Sequence, residues 1–188
     1  MDQMNNIEKW FALLVKPRHE KAVSSILKNK GYETFLPLYR QRHTYSRGRF
    51  KVSELPLFPG YVFCRFNPVT RLPLLTTPGV FYVVGVGRTP VALDDQEITS
   101  LQTVVKSGVS AEPHPFLRAG EQVRIIDGPL AGAEGILMYI KQAPRLILSI
   151  TLLQRSVLAE VDQSWVASLS RPSWTSAEPL TPVLQTQS

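Results

Sequence analysis

The segment Tyr61-Val62-Phe63-Cys64-Arg65-Phe66, entered through Leu57-Phe58-Pro59-Gly60, limits the possible folds most. As a strand it sends Tyr61, Phe63 and Arg65 to one face and Val62, Cys64 and Phe66 to the other. Both faces are largely apolar, whereas a sheet covered on one side needs only one such face. Either both faces are core, the commoner arrangement, or one stays open as an aromatic-rich docking pocket.

The flanking pattern supplies the layers. Trp10–Val15 is a short apolar strand stopped at Lys16-Pro17. Ala22, Val23, Ile26 and Leu27 follow at helical spacing, with Pro17 in the first turn and Gly31 just past the end. Tyr32–Tyr39 reads as a strand near an edge because it holds Pro37. Arg71–Thr77 is a connection, and Val80–Val86 is a β-branched and aromatic strand. Asp94-Asp95-Gln96-Glu97 opens a second helix, with acids at the positive end of its dipole. Its stripe is Ile98, Leu101 and Val105, and Gly108 ends it. The order predicts an α+β domain over 9–105, a mostly antiparallel sheet flanked by helices.

The second half has a different grammar. Residues 106–115 carry Gly, Ser and two prolines and read as a flexible linker. Over 116–170, the candidate strands Gln122–Ile126, Glu134–Ile140, Leu146–Leu152 and Ser156–Val161 alternate with glycine turns, which predicts a small five-stranded barrel. Residues 171–188, rich in Pro, Ser and Thr, read as a disordered tail.

Net charge is +6, and its placement says more than its size. Residues 1–53 hold eleven Lys/Arg against four Asp/Glu, and the rest of the chain is close to balance. The stretch 40–51 contains Arg40, Arg42, His43, Arg47, Arg49 and Lys51, with no acid between Glu33 and Glu54 and a hairpin tip at Ser46–Gly48. Such a surface suits a polyanion, most often nucleic acid; its alternative is a solvated basic face.

Enzymatic chemistry finds no foothold. His19, His43 and His114 are scattered and Cys64 is the one cysteine, so no metal-ligand spacing arises and no cofactor is expected. Asp94-Asp95 is better explained as a helix cap than as paired catalytic carboxylates. Gly128-Pro129, Gly132 and Gly135 lack the Gly-Lys-Ser/Thr ending and following helix of a phosphate loop. No apolar run approaches the roughly 20 residues of a membrane span, and Met1-Asp2-Gln3-Met4 opens no signal peptide, so a cytosolic monomer is expected.

Two sets of residues carry a family resemblance. Trp10-Phe11, Phe58-Pro59-Gly60-Tyr61-Val62, Pro78-Gly79-Val80 with Val83-Val84-Gly85, and Pro90-Val91 before Asp94-Asp95-Gln96-Glu97-Ile98 resemble, in order, the N-terminal (NGN) domain of NusG-type transcription elongation factors. Val123, Ile125, Gly128, Pro129, Gly132, Gly135 and Ile136 resemble the signature of a KOW domain, an SH3-like barrel. The likeness spans roughly residues 9–168. It implies an elongation or antitermination factor, similar to specialised RfaH, LoaP or UpxY paralogues, that docks on the clamp helices of the largest RNA polymerase subunit. It implies suppressed pausing through a closed clamp and a nucleoid-associated location. Phe58, Tyr61, Phe63 and Val83 would form the docking pocket, and Arg71 and Leu72 would occupy the connection that touches the opposite lobe. Lys16, Arg18, His19, Arg40, Arg42, His43, Arg47, Arg49 and Lys51 would lie near upstream or non-template DNA. Leu152, Leu153, Gln154 and Arg155 would bind the KOW partner: ribosomal protein S10, Rho or nascent RNA. The alternatives are a housekeeping NusG coupling polymerase to Rho or the ribosome, and a ribosomal or RNA-binding KOW protein without a polymerase role.

Overall fold

The computed structural model describes residues 8–44, 49–116 and 120–169. Its first unit is a four-stranded antiparallel sheet of β1 (Lys9–Val15), β2 (Glu33–Phe35), β5 (Tyr61–Phe66) and β6 (Val80–Val83), in the order β2-β5-β1-β6. The two most apolar strands, β1 and β5, take the centre, in register from Lys9 opposite Phe66 to Leu14 opposite Tyr61. One face packs Phe11, Leu13, Val62, Cys64 and Phe66 against Val23 and Leu27 of helix α1 (Glu20–Asn29). The Phe11 and Phe66 rings meet there at 4.6 Å. The other face carries Trp10, Ala12 and Phe63 into a different core. Both faces of β5 are therefore covered.

Several boundaries differ from the sequence reading. The expected strand Tyr32–Tyr39 breaks around the buried Pro37 into β2 and β3 (Leu38–Thr44). β3 pairs with β4 (Phe50–Pro56) in a separate two-stranded ribbon. The expected strand Val80–Val86 ends at Val83, and β7 (Gly85–Val86) folds onto β8 (Thr89–Pro90). A Cβ at Gly85 would stand 2.0 Å from the Thr89 carbonyl oxygen, so only glycine allows that approach. The connection Arg71–Thr77 contains one helical turn, α2 (Leu72–Leu75).

Helix α3 (Asp95–Ser107) starts where the acids predict. Asp94 Oδ1 accepts from the backbone N–H of Gln96 at 2.7 Å and of Glu97 at 3.3 Å. Gly108, at φ +71°, closes it. Its buried apolar residues are Ile98, Leu101 and Val104; Val105, assigned to the stripe from sequence, is 37% exposed.

The segment 106–115 is not a loose linker. Its first two residues complete α3, and Ala111–Pro115 forms β9, paired with Arg155–Ala159. β9 joins β10 (Glu121–Ile125), β11 (Glu134–Ile140), β12 (Ala143–Ile150), β13 (Arg155–Glu160) and β14 (Val166–Ser168) in a six-stranded sheet, order β14-β10-β11-β12-β13-β9. The barrel strands expected from sequence thus gain one more at an edge, the position where Pro113 and Pro115 are tolerated for want of an N–H. At the first turn Gly128 has φ +74°, and a Cβ there would lie 2.6 Å from the Trp165 ring. The expected disordered tail, the tip residues 45–48 and residues 117–119 lie outside the described residues.

Candidate functional site

The sheet face bearing Tyr61 is built around a tight elbow. Pro59-Gly60 reverses the chain into β5, with Gly60 at φ +84°. The Gly60 N–H donates to Glu20 Oε1 at 2.9 Å, so the first residue of α1, buried to 6% exposure, pins the turn. A buried carboxylate needs such a partner. Beyond the elbow, Phe58 meets Phe63 edge-to-face at 5.4 Å and Phe35 stacks on Phe63 at 6.0 Å. Tyr61 is half-buried beside Leu14, which also faces Tyr82, itself 54% exposed.

The cover of this face comes from α3 and the C-terminal unit. Ile98, Leu101 and Val104 share one continuous core with Trp10 and Phe63 on one side and Val123, Leu130, Leu148 and Leu153 on the other. The Arg155 guanidinium stands 5.5 Å from the centre of the Tyr61 ring, within cation–π range. Polar contacts fix the approach. Glu97 Oε1 accepts from the Thr151 hydroxyl at 2.6 Å and from its backbone N–H at 3.1 Å. Ser100 Oγ accepts from the Glu134 N–H at 3.0 Å, and Gln96 donates to the Gly132 carbonyl at 3.3 Å. Burial pushes the Glu97 carboxyl above its ordinary value; the two Thr151 hydrogen bonds oppose that shift and Asp94 adds to it. A cleft of about 690 Å³ lies beside this junction, lined in part by Asp94, Glu97, Ser100, Glu134, Ile147 and Thr151.

The β3–β4 ribbon is the second surface. Arg40, Arg42, Arg49 and Lys51 are exposed on it. Glu54 sits at its base, 3.8 Å from Arg40 and 3.5 Å from Lys21 of α1. That pair of contacts brings the ribbon base beside α1, whose preceding turn presents exposed Lys16, Arg18 and His19. Arg18 takes φ +66°, and His19 Nδ1 lies 3.1 Å from the Pro17 carbonyl.

Among the described residues no cluster of His, Cys, Asp and Glu could hold a metal. Cys64 is buried and its thiol is pushed up to about 12, first by burial, which leaves it unreactive.

The family model described as "Transcription termination factor nusG" matches residues 8–102, half of the chain. This chain belongs to the NusG family. Helicobacter pylori NusG, a transcription termination/antitermination protein, is 23% identical over 172 residues, covering 85% of this chain and 98% of its own. Pseudomonas aeruginosa NusG is 31% identical over 124 residues, covering 63% and 70%. A solved structure of Thermotoga maritima NusG, described by its domain interaction, covers 87% of this chain and 98% of its own at TM-score 0.54 and 20% identity, a likeness of fold. As members of a family of transcription factors, such chains are not enzymes, and the α+β unit followed by an all-β unit is the architecture expected from sequence.

Within this NusG-family fold the expected docking residues do not all converge. Phe58 and Phe63 are 1% and 0% exposed, in one apolar cluster to which half-buried Tyr61 is added. Val83 does not share their face: it pairs with Leu13 and packs into the α1 core on the other side of the sheet. Val84, which packs into the Tyr61-side core, and Tyr82 lie on the Tyr61 side instead; the alternation of β6 against β1 decides this and is visible only once the register is known. Arg71 lies at the start of α2 with its guanidinium 3.4 Å from the Pro68 carbonyl, and Leu72 is 69% exposed. On the C-terminal unit, Leu153 is 9% exposed and part of the shared core, while Leu152 is half-buried and Gln154 and Arg155 are exposed. The His43 backbone pairs with Lys51, its side chain is outside the described residues, and so is Arg47.

Proposed function

We propose that this chain is a transcription elongation and antitermination factor that docks on RNA polymerase through the Tyr61 face and favours the closed clamp. The observation that carries this reading is an aromatic surface, Tyr61 with Phe58 and Phe63 behind it, whose cover includes the chain's own C-terminal unit. A binding face normally shielded by a separable part is suited to exchange that part for a partner. Family membership supports RNA polymerase as the partner, and the clamp helices of the largest subunit are the target proposed from the resemblance. Only tighter binding to the closed clamp than to the open one suppresses pausing. Polymerase affinity is then reduced by the fraction of molecules in which the face is uncovered.

The C-terminal unit acts as a KOW module, and Leu152, Gln154 and Arg155 form its partner contact, for ribosomal protein S10, Rho or nascent RNA. Lys16, Arg18, His19 and the ribbon arginines face upstream DNA, and Arg71 and Leu72 the opposite lobe. A general NusG coupling polymerase to Rho or the ribosome is the second reading, favoured by the match to nearly all of Helicobacter pylori NusG. Tyr61→Ala tests the central assignment, because Tyr61 is only half-buried and its loss spares the core. Affinity of the full chain for core polymerase is expected to fall at least about tenfold, as at an interface hot spot. Unchanged affinity with the fold intact refutes the docking face. Polymerase occupancy confined to a few long operons in the host favours a specialised factor, and occupancy everywhere a general one.

A further inference from the structure

Helix α2 is a single turn containing Pro73, too short to hold its shape alone. Two residues anchor it to α1. Leu74, fully buried, packs into the α1 core with Leu27. Lys30, which caps the C-terminus of α1, supplies the other anchor: its Nζ donates to the Pro73 carbonyl at 2.9 Å and to Thr77 Oγ1 at 2.8 Å. The Thr77 hydroxyl, itself buried, donates to the same carbonyl at 3.0 Å and closes the triangle. An ammonium suits the carbonyl end of a helical turn. Lys30 is fixed at its root as well. Its backbone N–H donates to the Ile26 carbonyl at 3.0 Å, and Gly31, at φ +88°, turns the chain directly after it.

A lysine at the end of a surface helix is ordinarily free in water, and holding it on two acceptors removes that freedom. Leu74 already seals α2 to the core, so what the second anchor adds is direction. Residues two apart in a helix do not share a side. With Leu74 turned inward, Leu72 is turned outward and is 69% exposed. Held at Leu74 alone, α2 could rock about that side chain and carry Leu72 with it. Held through the Pro73 carbonyl as well, it keeps one orientation.

We propose that Lys30 is a positioning residue for the second polymerase contact: its ammonium fixes α2 so that Leu72 is presented to the opposite lobe in one orientation. The proposal rests on the reading of Arg71 and Leu72 given above and adds the residue that orients their segment. A contact group ordered in advance loses less freedom on binding. Lys30 acts through Leu72 and need not touch polymerase.

The test is acceleration of core RNA polymerase through a defined pause by the full chain at saturating concentration, together with amide signals of the free variants. Lys30→Ala and Lys30→Met are expected to lower the acceleration about threefold, a coupling of ordinary size between neighbouring residues. Lys30→Arg, which keeps a cationic donor, is expected to recover most of it. The amide signals of Leu72, Leu74 and Thr77 should shift in Lys30→Met while those of Tyr61 and Phe63 stay in place. In a Leu72→Ala background, Lys30→Met should cause no further loss. Additive losses in that double variant overturn the proposal, because Lys30 would then act elsewhere. Unmoved signals at Leu72, Leu74 and Thr77 overturn it too. Full acceleration in Lys30→Met beside a loss in Leu72→Ala overturns it and leaves the second contact standing. Full acceleration in Leu72→Ala removes the second contact itself, and the positioning role with it.

Discussion

Glu97 holds the two units together through one carboxylate oxygen that accepts two hydrogen bonds from Thr151. Glu97→Ala removes both. A hydrogen bond to a charged group contributes about 1.5–3 kcal/mol when well shielded, but this carboxylate is only half-buried and water replaces part of the loss. About 1–2 kcal/mol for the pair is the reasonable scale, so the ratio of packed to separated units should fall roughly 5- to 30-fold. Glu97→Gln keeps a carbonyl acceptor for Thr151 and removes the charge whose burial is unfavourable, so it should hold or tighten the packing. The pH dependence has a definite sign. Burial raises the Glu97 carboxyl above its ordinary value, so its contribution to the stability of the folded chain against unfolding is fully present below the ordinary carboxylate value. It is lost as pH rises through the raised value, and Glu97→Gln should flatten that dependence. Amide resonances of Ser100, Glu134 and Thr151, with rotational correlation times of the two units, report the equilibrium. If Glu97→Ala leaves these signals unchanged, or Glu97→Gln separates the units as much as Glu97→Ala, the acceptor role is refuted.

Other consequences can be measured on the same protein. Arg155→Ala removes the guanidinium over Tyr61, a contact of about 0.5–1 kcal/mol at a partly exposed site, and should raise polymerase affinity two- to fivefold; an unchanged or lower affinity counts against the shielding role. Gly128→Ala forces a side chain into positive φ and against Trp165, and should cost about 1–3 kcal/mol by chemical denaturation of the full chain. Val104→Ala should destabilise by about 2 kcal/mol and Val105→Ala by less than about 0.5, since only Val104 is core; equal effects would place the helix in the wrong rotation.

Local signals in the sequence were reliable where one residue decides the geometry. Asp94 and Gly108 bracket α3 because a cap and a left-handed terminus are chemical properties of those residues. The two-faced apolar pattern of β5 likewise reads directly as a central strand. Errors arose where a distant segment decides. Pro113 and Pro115 look like linker residues until β13 offers them an edge to occupy. Val83 and Val84 are both plausible for the docking face, and only pairing with Leu13 separates them. Val104 and Val105 are both compatible with a helical stripe, and the choice is made by α3 being covered from two sides, by β1 and by the C-terminal sheet. The shielding of Tyr61 by Arg155 joins residues 94 positions apart, and no local pattern announces it.

The absorption of residues 111–115 into β9 has a consequence for reach. Between the end of α3 at Ser107 and the start of β9 only Gly108, Val109 and Ser110 remain. Fully stretched, three residues span roughly 10 Å, against roughly 35 Å for a free segment of ten. If the C-terminal unit swings off the Tyr61 face, it pivots rather than roams. Whatever it captures is delivered within a few nanometres of the surface it has just uncovered, at an effective concentration on the millimolar scale of a short leash.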